Sequence, residues 1–251
     1  MELFTGRLPL DEEQRKYCSS LPQLADYPLP AVESQWSCTD LVAQAVGENS
    51  IAKLYPINGN DQYGDCTVAW IAHQLTVQNG LAGQKFTPTS QEVVNLYFKL
   101  SGGADSGLAL TDVLKALTRG ALGQQILADC NVNPSDFTVV KKAIRYLGGL
   151  FIGFPTTGVN SRNIDQVAQF QNGKPWTVTG NRLQGGHAVI ATGYDDSTGM
   201  LDILTWGGKQ LATYEWWEKY VDEAHAIVTK SLTVFDNETV ANLQKAMPAL
   251  S

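Results

Sequence analysis

The sequence of 251 residues predicts an α+β fold in which a mainly helical half precedes a mainly β half. Apolar residues recur at helical spacing up to residue 147, and short apolar runs of strand length follow from residue 149. No linker rich in Pro, Gly and Ser interrupts the chain after residue 57. We therefore expect one body at 58–251, with a helical lobe at 58–130 and a β lobe at 131–251.

Four helices are predicted by local patterns. The segment after Cys66 contains no helix breaker before Gly80, so a helix should begin at Cys66. Residues 89–92, Thr-Ser-Gln-Glu, form a capping-box sequence that predicts a second helix start. Two further helices are indicated by apolar residues at helical spacing, namely Leu110, Val113, Leu114 and Leu117, and then Phe137, Val140, Ile144 and Leu147.

Strand-length apolar runs dominate the second half of the chain. Two of them are separated by a short turn sequence, which predicts a β-hairpin. The predicted elements are strands at 150–154, 187–194, 200–206 and 224–228, a turn at 195–199 and a helical turn at 214–220.

Residues 1–57 are rich in Pro, Ser and polar side chains and predict an extended N-terminal arm with short helical pieces, packed on the body. The first residues lack a basic segment followed by an apolar one, so we expect no secretory signal. The longest apolar stretch, 146–154, is too short to span a bilayer. These features favour a cytoplasmic protein without a membrane partner, or a virion-associated one.

Composition narrows the classes of partner and cofactor. The net charge is −7, the pI is near 4.9, and the 18 basic residues do not cluster, which argues against nucleic-acid binding. The four cysteines lie at wide spacing without a Cys-x-x-Cys pair or a nearby histidine, so we expect neither a metal nor a cofactor. A disulfide between Cys18 and Cys38 is an alternative, but reduced cysteines fit a cytoplasm better.

Cys66 and His187 carry the predicted chemistry. Cys66 begins a helix, where free N–H groups and the helix dipole favour a thiolate, and Gly64 allows close backbone approach. His187 follows two glycines at the start of a strand, where its imidazole would face a cleft as a base. The amide of Asn60 is the predicted companion of the Cys66 N–H in an oxyanion hole, with Gln62 as the competing donor.

These residues lie in segments that resemble papain-like cysteine peptidases. The resemblance covers roughly residues 56–230 in the chain order of that family, and it implies a helical lobe followed by an antiparallel β-sheet lobe, with a cleft between them. It is closer still to an uncharacterised branch of this fold in bacteria and tailed phages. The similar segments are 60–70 around the cysteine, 133–154, 185–194 around the histidine, 204–207 and 214–217.

The sequence departs from that family at two positions of the site. With Trp206 as the anchor, the family's orienting asparagine falls on Leu204, which cannot hold an imidazole, and its oxyanion glutamine becomes Asn60. Asp202, two residues earlier on the same strand face, is the predicted replacement for the orienting group, and Thr205 is a weaker one. The resemblance thus implies a Cys-His dyad assisted by Asn60 and Asp202.

The predicted activity is that of a hydrolase, a cysteine peptidase or amidase that cleaves a peptide or amide substrate through a thioester acyl-enzyme. The alternative is a weakly active or inactive papain-fold protein with a structural or binding role, such as a phage virion or assembly component. Leu204 and the long arm favour that alternative, whose partners would be a second copy of the chain or phage structural proteins. An acyl transferase with the same dyad is a third hypothesis. His73 is interpreted as structural, and His225 is assigned no chemistry.

Overall fold

Helices dominate the first half of the protein. The computed structural model describes residues 3–232 and 234–248. The helices in these ranges are α1 (Glu12–Ser20), α2 (Cys38–Val46), α3 (Ile51–Leu54), α4 (Cys66–Leu81), α5 (Ser90–Leu100), α6 (Leu110–Thr118), α7 (Phe137–Leu147), α8 (Asp165–Gln171), α9 (Tyr214–Tyr220) and α10 (Asn237–Ala246).

One antiparallel sheet organises the second half. Its main strand order is β2-β8-β3-β5-β6-β7, while β1 pairs with β5 and β4 pairs with β3. The strands are β1 (Gln35–Ser37), β2 (Ile126–Asn131), β3 (Leu150–Asn160), β4 (Asn163–Ile164), β5 (Asn181–Asp195), β6 (Met200–Thr205), β7 (Gly208–Thr213) and β8 (Glu223–Thr229).

Helix α4 is the central element of the helical half. Its residues from Cys66 to Gly80 are all buried, because the helix contacts β5 of the sheet as well as α2, α5 and α6. A helix enclosed on every side cannot shift along its axis without disturbing close-packed neighbours. This packing fixes the N-terminal residue of α4 with respect to β5.

Buried polar side chains of α4 bind backbone groups of neighbouring elements. Gln78 Nε2 donates to the carbonyl oxygens of Leu147, at 2.8 Å, and Ile227, at 3.0 Å. Leu147 ends α7, and the last carbonyls of a helix have no partner within it. Gln78 therefore joins α4 to both α7 and β8.

His73 Nε2 lies 2.8 Å from the carbonyl oxygen of Pro56, and burial lowers the pKa of His73 to about 4, which fits a structural histidine.

The α+β prediction and the principal predicted elements are confirmed. Helix α4 begins at Cys66 as expected, and both hydrogen bonds of the capping box between Thr89 and Glu92 are present at the start of α5. Strands β5 and β6 form the predicted hairpin. Elements that the sequence did not predict include β2, β7 and α10; β2 crosses the expected lobe boundary at residue 130 and joins the sheet beside β8.

The N-terminal region is extended over a shorter length than predicted. Residues 3–10 have no helix or strand of their own, whereas the rest of the region up to residue 57 contains α1, α2, α3 and β1. Strand β1 pairs with the end of β5, where Trp36 lies opposite Tyr194. Most of this region thus belongs to the body, and "the arm" below means residues 3–8.

The four cysteines are free thiols, so Cys18 and Cys38 are not joined by a disulfide. Within the described ranges, no helix combines the length and the apolar character that crossing a membrane requires.

Replacing Gln78 with Ala should lower the free energy of unfolding by about 2 kcal/mol, because two buried hydrogen bonds are lost, although Leu147 O keeps Gln74 Nε2 as a donor at 3.3 Å. Urea unfolding of the wild type and the variant measures this difference. The exposed Gln91 of α5, which bonds Asn95, offers a matched control, and Gln91→Ala should change stability by less than about 0.5 kcal/mol. Equal effects at the two positions would contradict a tethering role for Gln78.

Candidate active site

Cys66 is the first residue of α4 and faces the sheet. Its side chain is only 1% exposed, and Asp65 precedes it as the N-cap residue. The sulfur lies at the helix N-terminus, where unpaired N–H groups and the helix dipole stabilise negative charge. This is the position that the sequence predicted for a nucleophilic thiol.

His187 lies on β5 and is held from two sides. Its Nε2 atom is 2.8 Å from Thr205 Oγ1 at the end of β6, and its ring stacks on Trp206 with centroids 4.3 Å apart. Trp206 adopts a φ of +44°, an uncommon value for a non-glycine residue that often accompanies functional sites. Among the described residues, Nδ1 of His187 has no hydrogen-bond partner.

The structure brings three predicted site residues together. Cys66, His187 and Asn60 line one small cavity, together with Thr205 and Trp206. Asn60 Nδ2 donates to the carbonyl oxygen of Tyr63 at 3.1 Å, which orients its amide. Gln62, the competing oxyanion donor, is exposed and is not among the residues that line this cavity.

Asp202 is not brought to His187. In the register of β5 and β6 it lies opposite Gly193, six residues along β5 from the histidine, and its carboxylate pairs with Lys209 Nζ at 2.8 Å. Leu204 is buried opposite Ile190 and offers no polar atom. The polar partner of His187 is therefore Thr205, which the sequence ranked as the weaker substitute.

The arm occupies the cleft between the two lobes. The N–H of Gly6 donates to Cys66 Sγ at 3.3 Å, so the chain's own backbone lies against the candidate nucleophile. Sequence reasoning expected an arm packed on the body but not this location, and no residue pattern in the arm points to it. The N–H groups of Phe4, Arg7 and Leu8 donate to Asn60 O (3.0 Å), Gly186 O (3.0 Å) and Leu108 O (2.9 Å), and Gly6 O accepts from Leu108 N at 2.9 Å.

Three glycines permit this close approach. A Cβ atom on Gly6 would overlap the carbonyl oxygen of Gly64, and a Cβ atom on Gly107 would overlap the carbonyl oxygen of Gly6. Gly64 is itself fixed, because its N–H donates to Asp105 Oδ1 at 3.0 Å. Backbones can come this near only where side chains are missing, so the arm passes at a point that requires glycine.

An ion pair anchors the arm on its far side. Arg7 is 6% exposed, and its Nη2 lies 2.8 Å from both Asp222 Oδ1 and Glu223 Oε2 at the start of β8. A buried arginine is stable only when paired and hydrogen-bonded in this way. The arm is thus held by backbone bonds at the cleft and by a charged side chain beyond it.

No family model matches the chain, and no curated protein sequence matches it. Among solved structures, it is similar to xylellain, a cysteine protease from Xylella fastidiosa, with a TM-score of 0.57 and 17% identity over 91% of this chain and 97% of that one. The chain has a papain-like cysteine peptidase fold. At this level of identity the likeness concerns the fold, which confirms the expected helical lobe and antiparallel β-sheet lobe.

Burial keeps both Cys66 and His187 uncharged. It raises the pKa of the Cys66 thiol to about 11, although the backbone N–H groups of Ala188 and Gly6 favour the thiolate. It also lowers the pKa of His187 to about 3. With the arm in place, the thiol and the imidazole are therefore both uncharged at neutral pH, rather than a thiolate–imidazolium pair.

Asp65, next to the nucleophile, is a buried carboxyl group. It has no exposed surface, and neither carboxyl oxygen has a hydrogen-bond partner within the part of the chain that the structure describes. Burial raises the pKa of Asp65 to about 8, although the amide of Asn60 acts in the opposite direction. Asp65 is therefore protonated at neutral pH and adds no negative charge beside Cys66.

Replacing Asp65 with Asn should stabilise the protein increasingly as pH rises. In the wild type, the raised pKa means that folded Asp65 binds a proton which the unfolded chain releases. That proton stabilises the wild type fully below pH 3.8, and its contribution is lost as pH approaches 8, whereas the Asn variant has no such loss. Between pH 5 and pH 7 the stability of Asp65→Asn relative to the wild type should grow by at least about 1 kcal/mol.

Urea unfolding of both proteins at the two pH values measures this change. Asp61→Asn, at a half-exposed position four residues away, is the matched control. A difference between Asp65→Asn and the wild type that does not vary with pH would contradict a protonated Asp65.

Proposed function

We propose that the protein is a cysteine peptidase or amidase whose activity is blocked by its own arm. Cys66 is the nucleophile, His187 is the general base and then the general acid, and Thr205 is the positioning residue that holds Nε2 of the imidazole. The observation that carries this proposal is the shared cavity, in which a helix-start cysteine and a strand histidine lie under a segment of the same chain.

The geometry supports a two-step reaction. Because Nε2 of His187 bonds Thr205, Nδ1 takes the proton of Cys66, and the sulfur forms a bond to the substrate carbonyl carbon. The negative charge that develops on the carbonyl oxygen is met by the Cys66 N–H and the amide of Asn60. Collapse forms the thioester and expels the amine, which takes the proton from His187. Water, deprotonated by His187, then attacks the thioester carbonyl carbon. The C–S bond breaks, the acid is released, and the Cys66 sulfur takes the proton back from His187.

The arm acts as a blocking segment rather than as a bound substrate. A substrate must present a carbonyl carbon to the sulfur, whereas the arm presents the N–H of Gly6 at 3.3 Å. Displacement of the arm would expose Cys66 and His187 to water. Their pKa values would then return toward the range in which a thiolate–imidazolium pair forms, because burial is the cause of both shifts.

The backbone groups that bind the arm favour an extended peptide as the substrate. Gly186 O accepts from Arg7 N, while Leu108 accepts from Leu8 N and donates to Gly6 O. These are free backbone groups of the two lobes once the arm leaves, and they would pair with another extended chain in the same way. A small amide would leave most of them unused.

The rival is a papain-fold protein with a structural or binding role, including one in a phage particle. Leu204 at the expected orienting position and the uncharged dyad favour it. It differs from our proposal in one respect, because it predicts no Cys66-dependent turnover even when the cleft is open.

Replacing Gly6 with Val should activate the enzyme. The new side chain cannot fit against the carbonyl of Gly64, so the arm leaves the cleft. We expect turnover of a fluorogenic peptide library to rise at least about tenfold, which corresponds to about 1.4 kcal/mol or more of lost blocking energy. Hydrogen exchange at residues 4–8 verifies that the arm has moved.

Leu8→Val is the matched control, because the Leu8 side chain is 42% exposed and its backbone bonds are retained. It should leave turnover at the wild-type level. The double variant Gly6→Val/Cys66→Ser should have none. An open arm in Gly6→Val without Cys66-dependent turnover would support the structural rival instead.

Replacing Thr205 with Val in the Gly6→Val background should lower kcat by about tenfold or more, because the imidazole loses the partner that fixes its tautomer and orientation. Thr205→Ser keeps the hydroxyl and should retain most of the activity. Steady-state kinetics across pH distinguish this role from a loss of packing. Equal losses in the Val and Ser variants would contradict a positioning role for the hydroxyl.

A further inference from the structure

A second cluster of reactive side chains lies where α1 meets β8, outside the cavity that Cys66 and His187 line. Cys18 of α1 meets Glu223 and His225 of β8, and one ligand atom from each of the three lies within 4.8 Å of the others. His225 has no exposed surface and Glu223 is 5% exposed, whereas Cys18 is partly exposed. None of the three takes part in the reaction proposed for Cys66.

The carboxylate of Asp129 bonds the imidazole of His225 at Nδ1. His225 Nδ1 lies 3.1 Å from Asp129 Oδ1 on β2, and His225 Nε2 lies 3.1 Å from Glu223 Oε1. Metal-binding histidines commonly use one ring nitrogen for the metal and the other for a carboxylate. Asp129 is fully buried, and within the described ranges its second oxygen has no hydrogen-bond partner.

We propose that Cys18, Glu223 and His225 bind one zinc-type divalent metal ion, with Asp129 as the carboxylate that orients the histidine. A thiolate, an imidazole and a carboxylate form a ligand set that suits zinc, whereas calcium and magnesium prefer oxygen ligands alone. Three protein ligands leave the fourth tetrahedral position for water. This inference does not rest on the function proposed for Cys66 and His187, although Glu223 also pairs with Arg7 of the arm.

The spacing and charges of the cluster fit such an ion. Ligand atoms around a tetrahedral zinc ion lie about 3.4–3.6 Å apart, so atoms within 4.8 Å need only small side-chain rotations. The carboxylates of Asp129, Asp222 and Glu223 outnumber the guanidinium groups near them, those of Arg7, which pairs with two of the three, and of Arg182, which acts on Asp222. Glu223 keeps Oε2 for Arg7 and offers Oε1 to the metal.

Sequence spacing could not reveal this site, because one ligand comes from residue 18 and the other two from 223 and 225. The competing arrangement is a network without metal, in which a proton on His225 bridges Asp129 and Glu223 and the Cys18 thiol is only a further hydrogen-bond partner of the imidazole. The two arrangements differ in their dependence on the thiol, and the partly exposed position of Cys18 makes it the residue to replace.

The test uses the full chain, stripped with a chelator under reducing conditions and then titrated with Zn²⁺ against a chromophoric competitor. We expect one equivalent to bind, and Cys18→Ser to weaken binding at least about tenfold. At a Zn²⁺ concentration between the two dissociation constants, Zn²⁺ should also raise the Tm of the wild type more than that of Cys18→Ser. Equal Tm values of the two proteins in chelator verify that the variant folds.

Cobalt provides a direct readout of the ligands. Co²⁺ should give thiolate-to-metal charge-transfer absorption in the wild type and in Cys66→Ser, but not in Cys18→Ser. Failure of the wild type to take up one equivalent, or unchanged Zn²⁺ affinity in Cys18→Ser, would overturn the proposal and leave the proton-bridged network. Loss of the cobalt band in Cys66→Ser, with retention in Cys18→Ser, would overturn it equally.

Discussion

The contact between the backbones of Gly6, Gly64 and Gly107 is the constraint on which the state of the cleft depends. No side chain fits at Gly6 or Gly107, so the arm can lie directly across Cys66. From that point, backbone bonds extend to Asn60 on one side and to Gly186 and Leu108 on the other. The arm thereby bridges the helical lobe and the β lobe, and in the proposed function it fills the space that a substrate would need.

The chemical state of the dyad follows from this closure. Cys66 lies at a helix start, which favours a thiolate, yet complete burial raises the pKa of its thiol to about 11. His187 is aligned by Thr205 and by the stacked ring of Trp206, yet burial lowers its pKa to about 3. Orientation and charge are therefore controlled separately. Packing of α4 and of the β5–β6 hairpin sets the orientation of Cys66 and His187, and exposure to water determines their charge.

Local features of this protein were readable in the sequence, and long-range ones were not. The helix at Cys66, the capping box at Thr89 and the β5–β6 hairpin depend on neighbouring residues, so their patterns were visible. The meeting of Cys66, His187 and Asn60 was predictable only through a resemblance in chain order. The prediction of Asp202 rather than Thr205 as the polar partner of His187 was wrong. The strand register, which places Asp202 beside Lys209, is not encoded by neighbouring residues.

Features built from backbone contacts or distant segments left no local pattern. The arm binds the cleft mainly through main-chain groups, which any sequence possesses, and its glycine is one of 23. Strand β7 lacks the β-branched alternation that signals a strand, and its edge position explains why polar residues suffice there. Nothing in the sequence singled out His225, because its partner Asp129 is 96 residues away in the chain and only folding brings the two together.

The most direct test of the blocked-enzyme account is the alkylation rate of Cys66 as a function of pH, followed by mass spectrometry of the Cys66 peptide. We predict a wild-type profile that rises only toward pH 11, and a Gly6→Val profile with a reactive thiolate well below about pH 8. The reactive thiolate should disappear in Gly6→Val/His187→Ala. A Gly6→Val protein with a displaced arm and the same slow, alkaline profile as the wild type would contradict the account.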